Sequence, residues 1–198
     1  MKKTNPKHLF SQAPQQYRED LIRLIRKHSF QMSKEPSFRL SSGKMSPYYF
    51  NLKKITYSPE GQFIIGTVMY HKIMELALKP DGIGGLTMGA DPIAIATAFV
   101  SYMMGNPIQA FSIRKEPKGH GLMLQIEGNV LEGNKVIITD DVVTTGESTI
   151  KAINIARDHG LKVIAAIILL DRCEENGREN IERLGVRAHP VLTLADFV

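Results

Sequence analysis

The chain has 198 residues and a mass of 22.1 kDa, with 43% hydrophobic and 23% charged residues, which excludes a disordered, collagen-like or disulfide-scaffold protein. Its one cysteine, Cys173, excludes an internal disulfide, and the longest apolar run, Val163 to Leu170, is far shorter than the roughly 20 residues of a membrane span. The net charge of +5 comes from residues 1–40, where basic side chains predominate without interleaved aromatic residues, as is typical of a solvated helix rather than a nucleic-acid surface. We therefore expect a cytoplasmic protein with one domain over residues 1–198 and no nucleic-acid or membrane partner.

Hydrophobic periodicity and turn signals divide the chain into helices and strands that mostly alternate. In chain order, the pattern predicts a helix over 15–28, a loop and hairpin region over 38–53, a helix over 59–78, a strand over 83–86 and a helix over 91–104. It then predicts strands over 108–113, 129–131 and 136–139, a helix over 146–159, and a strand over 163–170 that is apolar on both faces. This alternation indicates an α/β fold with a parallel central sheet flanked by helices, in which ligands bind at the carboxyl ends of the strands.

Residues 136–148 (VIITDDVVTTGES) join an apolar strand to two adjacent acids, a short turn and the start of a helix. Asp140 and Asp141 can accept hydrogen bonds from two neighbouring sugar hydroxyls. The turn leaves backbone N–H groups without partners between Val143 and Ser148, and the helix dipole adds positive charge there, as a phosphate requires. Further donors are the hydroxyls of Thr144, Thr145 and Ser148. The segment therefore predicts a ribose 5-phosphate site, with a simple turn cap by the two acids as the alternative, and no GxxxxGK[ST] or GxGxxG pattern competes with it.

The same segment closely resembles the phosphoribosyl diphosphate (PRPP) motif of the type I phosphoribosyltransferases. Three more segments resemble parts of one family in that group, the orotate phosphoribosyltransferases: residues 111–121 (FSIRKEPKGHG) its catalytic loop, 38–51 (FRLSSGKMSPYYFN) its N-terminal substrate segment, and 170–172 (LDR) its orotate-binding arginine. The resemblance implies the type I phosphoribosyltransferase fold, with an N-terminal helix and small hood over 1–55 and a core over 56–198.

The resemblance also implies an activity. The family transfers phosphoribosyl from PRPP to orotate, giving orotidine 5′-phosphate and diphosphate in de novo pyrimidine (UMP) biosynthesis. It implies Mg²⁺ as a cofactor carried by the PRPP diphosphate rather than by a metal site of the protein. It further implies a homodimer in which the catalytic loop closes over the neighbour's site.

The site residues that the resemblance implies fall into three groups. The catalytic residues are Lys118, His120, Asp140 and Asp141. The PRPP-binding residues are Arg114, Lys115, Lys118, His120, Asp140, Asp141, Val142, Val143, Thr144, Thr145, Gly146, Glu147 and Ser148. The orotate-binding residues are Tyr49, Phe50, Thr144 and Arg172, of which the arginine would meet the substrate carboxylate.

The chain departs from the family pattern at two positions. Many members have a lysine where Ser41 stands, and a Tyr-Lys-Gly turn where this chain has Thr87-Met88-Gly89. Neither lysine can be assigned here, and Lys44 is a candidate replacement for one of them.

Other interpretations stay open at this point. The basic loop is also compatible with an ordinary solvated turn, Arg172 with a surface ion pair to Glu174 or Glu175, and Tyr49 and Phe50 with ordinary strand packing. At the level of function, the alternatives are a purine phosphoribosyltransferase and a non-catalytic regulator that senses PRPP.

Overall fold

The computed structural model describes residue 10 and residues 12–40, 43–116 and 125–198. Its N-terminal elements are α1 (Pro14–His28), β1 (Phe30–Met32), β2 (Phe38–Arg39), β3 (Met45–Ser46), β4 (Tyr48–Phe50) and α2 (Lys53–Thr56). The following elements are α3 (Pro59–Glu75), β5 (Gly82–Leu86), α4 (Asp91–Met103), β6 (Gln109–Ile113), β7 (Ile126–Gly128), β8 (Lys135–Val143), α5 (Glu147–Asp158), β9 (Lys162–Asp171), α6 (Gly177–Glu182) and β10 (Ala188–Thr193). A 3₁₀ turn at Leu194–Asp196 follows β10.

Within the described ranges, the centre of the fold is a six-stranded sheet with the order β10-β9-β8-β5-β6-β7. Its neighbouring strands run parallel except β7, which pairs antiparallel with β6 at one edge. The predicted α/β class with a parallel central sheet is thereby confirmed.

The sheet separates two clusters of buried apolar side chains, because successive residues of a strand point to opposite faces. On β8, Ile137 packs into the cluster shared with α1, α3 and α4, whereas Ile138 packs into the cluster shared with α5 and α6. Both isoleucines are fully buried, and each contributes about 1.5–3 kcal/mol by removal from water. Helices therefore cover both faces of the sheet, which explains why β9 is apolar throughout its centre.

The N-terminal part forms a small hood beside the carboxyl edge of the sheet. Strands β1 and β4 pair antiparallel with Phe30 opposite Phe50, and β2 pairs with β3. The rings of Phe30 and Phe50 lie 5.5 Å and 5.2 Å from the ring of Phe197 near the C-terminus. Arg18 on α1 donates to both carboxylate oxygens of Asp196, at 2.8 Å and 2.9 Å. These contacts attach the hood to the last turn of the chain.

Three predicted elements differ from the structure by three residues or more at one end. The predicted strand over 129–131 is wrong: the strand is β7, and the next residues form a turn in which Asn134 Oδ1 accepts the Leu131 N–H at 2.8 Å. Helix α3 ends at Glu75 rather than at 78, because Ala77 adopts a φ of 51° and reverses the chain. Strand β8 continues through both acids to Val143, because its partner β9 continues beside it.

The elements α6 and β10 are absent from the prediction. Helix α6 has six residues, too few for a periodic pattern, and β10 contains Pro190. A proline is compatible with β10 because this strand lies at the edge of the sheet. Among the described residues, no helix has both the length and the apolar character needed to cross a membrane.

Candidate active site

The site lies where β5, β8 and β9 end, at the carboxyl edge of the sheet. From β5 the chain proceeds to β6 on one side, and from β8 it proceeds to β9 on the other side. A crevice opens at such a reversal, between the loops that leave in opposite directions. The loops after β5 and β8 are the Thr87-Met88-Gly89 turn and the predicted PRPP segment.

Gly89 sits directly against the two acids that follow the centre of β8. A Cβ atom on Gly89 would lie 2.7 Å from Asp141 Oδ1 and 3.2 Å from Asp140 Oδ1. The turn is fixed by the Thr87 N–H, which donates to the Ile113 carbonyl at 2.9 Å. Because Gly89 has no side chain, the turn can lie this close to the acid pair.

Two adjoining cavities flank the acid pair. The larger has a volume of about 390 Å³ and is lined by the Thr87–Gly89 turn, Lys53, Lys115 and both acids. The smaller, about 60 Å³, is lined by Asp140 and residues 142–148. Asp140 and Ser148 border both cavities, so a ligand of the acid pair can extend into each of them.

The smaller cavity, which we call the phosphate cradle, lies at the start of α5. Gly146 has a φ of 82° there, and the Ile150 N–H makes a helical hydrogen bond to its carbonyl at 2.8 Å. The amides just before Ile150 have no partner within the helix, which is the arrangement that binds a phosphate. The Glu147 N–H has the Thr145 hydroxyl 3.4 Å away, a weak contact that an anion can replace.

Helix α6 supports the cradle from behind. Asn180 Nδ2 donates to the Thr145 carbonyl at 2.9 Å, and a Cβ atom on Gly177 would lie 2.4 Å from the Thr144 carbonyl oxygen. These supporting residues are not evident from the sequence, because they belong to a helix of six residues, too short to show a period.

The two acids have different surroundings. Asp140 is buried, and it accepts the Asp141 N–H on Oδ1 and the Thr149 hydroxyl on Oδ2, both at 3.0 Å. Asp141 is more open, and its Oδ1 accepts the Val142 N–H at 3.0 Å while its Oδ2 lies 3.7 Å from Lys53 Nζ. Both acids border the larger cavity, and Asp141 is the less buried of the two.

Burial, followed by the negative charge of Asp141, raises the pKa of Asp140 to about 7, although the hydrogen bonds from Thr149 and from the Asp141 amide oppose this shift. The Asp140 carboxyl therefore keeps its proton to a higher pH than an exposed aspartic acid does.

Arg172 follows β9 directly and is buried, with 4% of its surface exposed. Its Nε donates to Glu174 Oε2 at 2.8 Å, and its Nη2 donates to the Ser46 hydroxyl and the Tyr48 carbonyl, both at 3.1 Å. The alternative of an ion pair with Glu174 is correct as to the partner, but Arg172 itself is buried and the side chain of Glu174 is 26% exposed, so the pair is not a simple surface contact. Arg172 thus links the hood to the sheet edge, and its contact with orotate stays a prediction.

The two predicted aromatic residues occupy different positions. Phe50 is buried, and its ring lies 4.9 Å from that of Phe30 and 5.7 Å from Arg172 Cζ. Tyr49 is 38% exposed and stacks on Phe38 at 5.5 Å. Both are engaged in hood packing, and the predicted orotate contacts remain predictions.

The basic loop is described only at its start. Lys115 lines the larger cavity, and its carbonyl accepts a hydrogen bond from Lys151 Nζ at 3.0 Å. Arg114 Nε donates to Glu127 Oε1 at 3.2 Å on β7. Lys118 and His120 lie outside the described residues, as does Ser41.

Within the described ranges, no three His, Cys, Asp or Glu side chains converge as a metal-binding group. Asp140 and Asp141 are the acids that border the larger cavity. Two carboxylates beside a space for phosphate oxygens suit Mg²⁺, which usually binds proteins through one or two carboxylates together with substrate phosphates.

Comparison with known proteins agrees with this arrangement. The sequence model of the phosphoribosyl transferase domain family matches residues 51–187. The chain is 51% identical over 181 residues to an orotate phosphoribosyltransferase of Aquifex aeolicus, covering 91% of this chain and 97% of the relative. It is 43% identical over 168 residues to one of Nostoc, covering 83% and 78%.

Solved structures with the same fold include an orotate phosphoribosyltransferase of Mycobacterium tuberculosis in complex with Fe(III) dicitrate, at a TM-score of 0.78 and 34% identity over 91% of this chain and 98% of that one. The same enzyme in complex with PRPP aligns with a TM-score of 0.73 at 28% identity, covering 100% and 99%. The resemblance inferred from the four sequence segments is confirmed. The chain belongs to the orotate phosphoribosyltransferases, within the phosphoribosyl transferase domain family.

Proposed function

We propose that this protein transfers phosphoribosyl from PRPP to orotate, forming orotidine 5′-phosphate and diphosphate in UMP synthesis. The observation that carries the proposal is the position of the acid pair, between the phosphate cradle and a larger cavity that two lysines line. A sugar with a phosphate at one end and a diphosphate at the other matches that order. A relative with the same fold has been solved in complex with PRPP.

On this proposal, each part of PRPP has its own place. The 5-phosphate binds in the cradle at the start of α5, and the ribose hydroxyls donate to the carboxylates of Asp140 and Asp141, which both border the larger cavity. The diphosphate then lies in the larger cavity beside Lys115. We propose that the hood, residues 1–55, covers the orotate, and that residues 56–198 form the core that binds PRPP.

Catalysis requires stabilisation of charge at two places as the bond between ribose and diphosphate breaks. The carboxylate of Asp141 stabilises the positive charge that develops on the ribose. The basic side chains of the loop stabilise the negative charge of the leaving diphosphate. We assign this second role to Lys115, Arg114, Lys118 and His120, the last two on the basis of the resemblance. Closure of the loop would exclude water, which otherwise competes with orotate for the sugar.

We propose that Mg²⁺ enters with the diphosphate and that the acids of the pair are its neighbours on the protein. When bound, Mg²⁺ supplies Lewis-acid stabilisation of the leaving group.

Orotate selection is assigned to Arg172, with Thr144, Tyr49 and Phe50 as further contacts. A guanidinium binds a carboxylate through two parallel hydrogen bonds, and orotate carries a carboxylate that purine bases lack. In the free protein Glu174 already provides a carboxylate to Arg172. Orotate would share or take over that position.

We also propose a homodimer that forms through one face of α4. Ile95, Phe99 and Tyr102 are 59%, 64% and 72% exposed and lie on one stripe of the helix. Helix α4 begins just after the Thr87–Gly89 turn, so a partner bound to this stripe would lie beside the site.

We propose a cytoplasmic location. The single cysteine, Cys173, is free and exposed, in keeping with a reducing compartment.

Phe99→Asp is expected to convert the dimer to a monomer, because it buries a charge at the centre of the apolar stripe. Sedimentation velocity measures the mass directly. Leu131→Asp is the matched control, since Leu131 is 72% exposed but lies on the turn after β7. A dimeric Phe99→Asp variant would contradict this interface.

The shared site is tested by mixing two inactive variants, Lys118→Ala and the double variant Asp140→Asn/Asp141→Asn. If the loop of one chain serves the site of its partner, a mixed dimer contains one site with both defects and one intact site. Random mixing makes about half of the dimers mixed, so activity should return to about a quarter of the wild-type level. Mixed dimers that are confirmed by mass but inactive would place the loop in its own site.

The base specificity of diphosphate release distinguishes the proposal from its alternatives. Initial rates are measured with orotate, uracil, adenine and hypoxanthine at fixed PRPP and Mg²⁺. We expect release with orotate alone. Release with a purine would identify a purine phosphoribosyltransferase, and PRPP binding without release with any base would identify a sensor.

A further inference from the structure

Helix α2 places one lysine at the larger cavity and its neighbour outside it. Leu52, Ile55 and Thr56 are buried on the inner side of this short helix, while Lys53 and Lys54 are exposed on its outer side. Lys53 is among the residues that line the larger cavity.

The backbone that carries Lys53 is firmly attached to the core. The Ser58 hydroxyl donates to the Ile55 carbonyl at 3.0 Å and accepts the Gly61 N–H at 3.0 Å, which joins the end of α2 to the start of α3. Gln62 Nε2 donates to the carbonyls of Thr56 and, at 3.1 Å, of Pro92. The position of Lys53 at the cavity is therefore a consequence of buried structure rather than of a loose surface loop.

Lys53 lines the larger cavity next to the acid pair. Its Nζ lies 3.7 Å from Asp141 Oδ2, and its side chain is 53% exposed. An ion pair with this exposure contributes little to stability, so a ligand can separate it at little cost. The Thr87–Gly89 turn, which also lines the cavity, offers no cation, because Met88 occupies its centre and is 62% exposed.

We propose that Lys53 binds the diphosphate group of PRPP, supplying from α2 a positive charge that the Thr87–Gly89 turn of the same cavity lacks. The inference rests on the proposed function, because that function places the diphosphate in the larger cavity. When the ribose hydroxyls engage Asp141, the ammonium group of Lys53 is released towards the diphosphate oxygens in the same cavity. A polyanion attracts an ammonium group more strongly than one carboxylate does, so the exchange is favourable.

The test compares three variants by titration calorimetry with inorganic diphosphate and Mg²⁺, and then with PRPP. Lys53→Met keeps an unbranched side chain that is one atom shorter and removes the charge, and Lys53→Arg keeps the charge. Lys54→Met is the matched control, on the same helix and also exposed. Loss of a charge-assisted hydrogen bond should weaken diphosphate binding by Lys53→Met at least about tenfold. Lys53→Arg should restore most of the affinity, and Lys54→Met should differ from wild type by less than about twofold.

Steady-state kinetics provide a second readout. Lys53→Met should raise the KM for PRPP about as much as it weakens diphosphate binding, while the KM for orotate changes by less than about twofold. A thermal melt without ligand identifies any folding defect, and Lys53→Gln serves as the second charge-free variant in that case.

Wild-type affinity for diphosphate in both charge-free variants would overturn the inference. Failure of the proposed function gives a different result: the wild type would release no diphosphate with orotate, although its binding of inorganic diphosphate would still depend on Lys53.

Discussion

The double variant Asp140→Asn/Asp141→Asn is expected to keep its fold and to lose at least about 10²-fold in kcat/KM for PRPP. The loss follows from the proposed role of the pair, because neutral amides cannot stabilise the positive charge that develops on the ribose. Initial rates of diphosphate release measure the effect. Asp158→Asn, an exposed change at the end of α5, is the control. A double variant with near-normal kcat/KM would mean that the acids only cap a turn.

The same pair predicts a pH dependence of stability. Asp140 has an ordinary pKa of 3.8 in the unfolded chain and one of about 7 in the fold, so the folded state binds the extra proton between these values. The contribution of Asp140 to stability is complete below pH 4 and is lost as the pH rises towards 7. Asp140→Asn removes this loss, since an amide stays neutral.

The melting temperature of Asp140→Asn relative to wild type should therefore increase between pH 5 and pH 8. An equal difference at both pH values would show that Asp140 does not have the raised pKa. The comparison also separates folding from catalysis, because the variant should gain melting temperature relative to the wild type as the pH rises and yet be less active.

Arg172→Ala is expected to raise the KM for orotate on the order of 30-fold or more, and the KM for PRPP far less. The reason is that the orotate carboxylate loses a buried guanidinium group that can donate two hydrogen bonds to it. Separate saturation curves for the two substrates measure the split. Equal effects on both KM values would make the arginine a structural residue of the hood.

Glu174→Gln is the control for the structural part of that effect. It removes the ion pair with Arg172, whose Nη2 keeps its partners Ser46 and Tyr48. If orotate takes over the position of Glu174, this variant should bind orotate at least as well as the wild type. A loss as large as that of Arg172→Ala would assign the effect to the Arg172–Glu174 pair rather than to substrate.

Much of the fold could be predicted because its signals are local. The two-sided apolar pattern of β9 identified a central strand, and the acids followed by Thr-Thr-Gly identified the start of α5, although β8 runs four residues past its predicted end at 139. By contrast, Pro190 argues against a strand in the sequence, so the edge strand β10 was not predicted. The six residues of α6 are too few to show a period.

The parts of the site that escaped prediction depend on contacts between distant segments. Thr149 reaches Asp140 only because α5 folds back over β8, and Lys53 reaches Asp141 only because α2 packs beside the sheet edge. Nothing in the sequence around Lys53 distinguishes it from Lys54. The difference arises from which side of a four-residue helix meets the cavity.

The most direct test of the proposed activity is the stoichiometry of the reaction with orotate. Wild-type protein is incubated with orotate, PRPP and Mg²⁺, while the orotate absorbance and the phosphorus NMR spectrum are followed together. We expect one orotidine 5′-phosphate and one diphosphate for each PRPP and each orotate consumed. Consumption of PRPP without loss of orotate, or binding of PRPP without turnover, would contradict it.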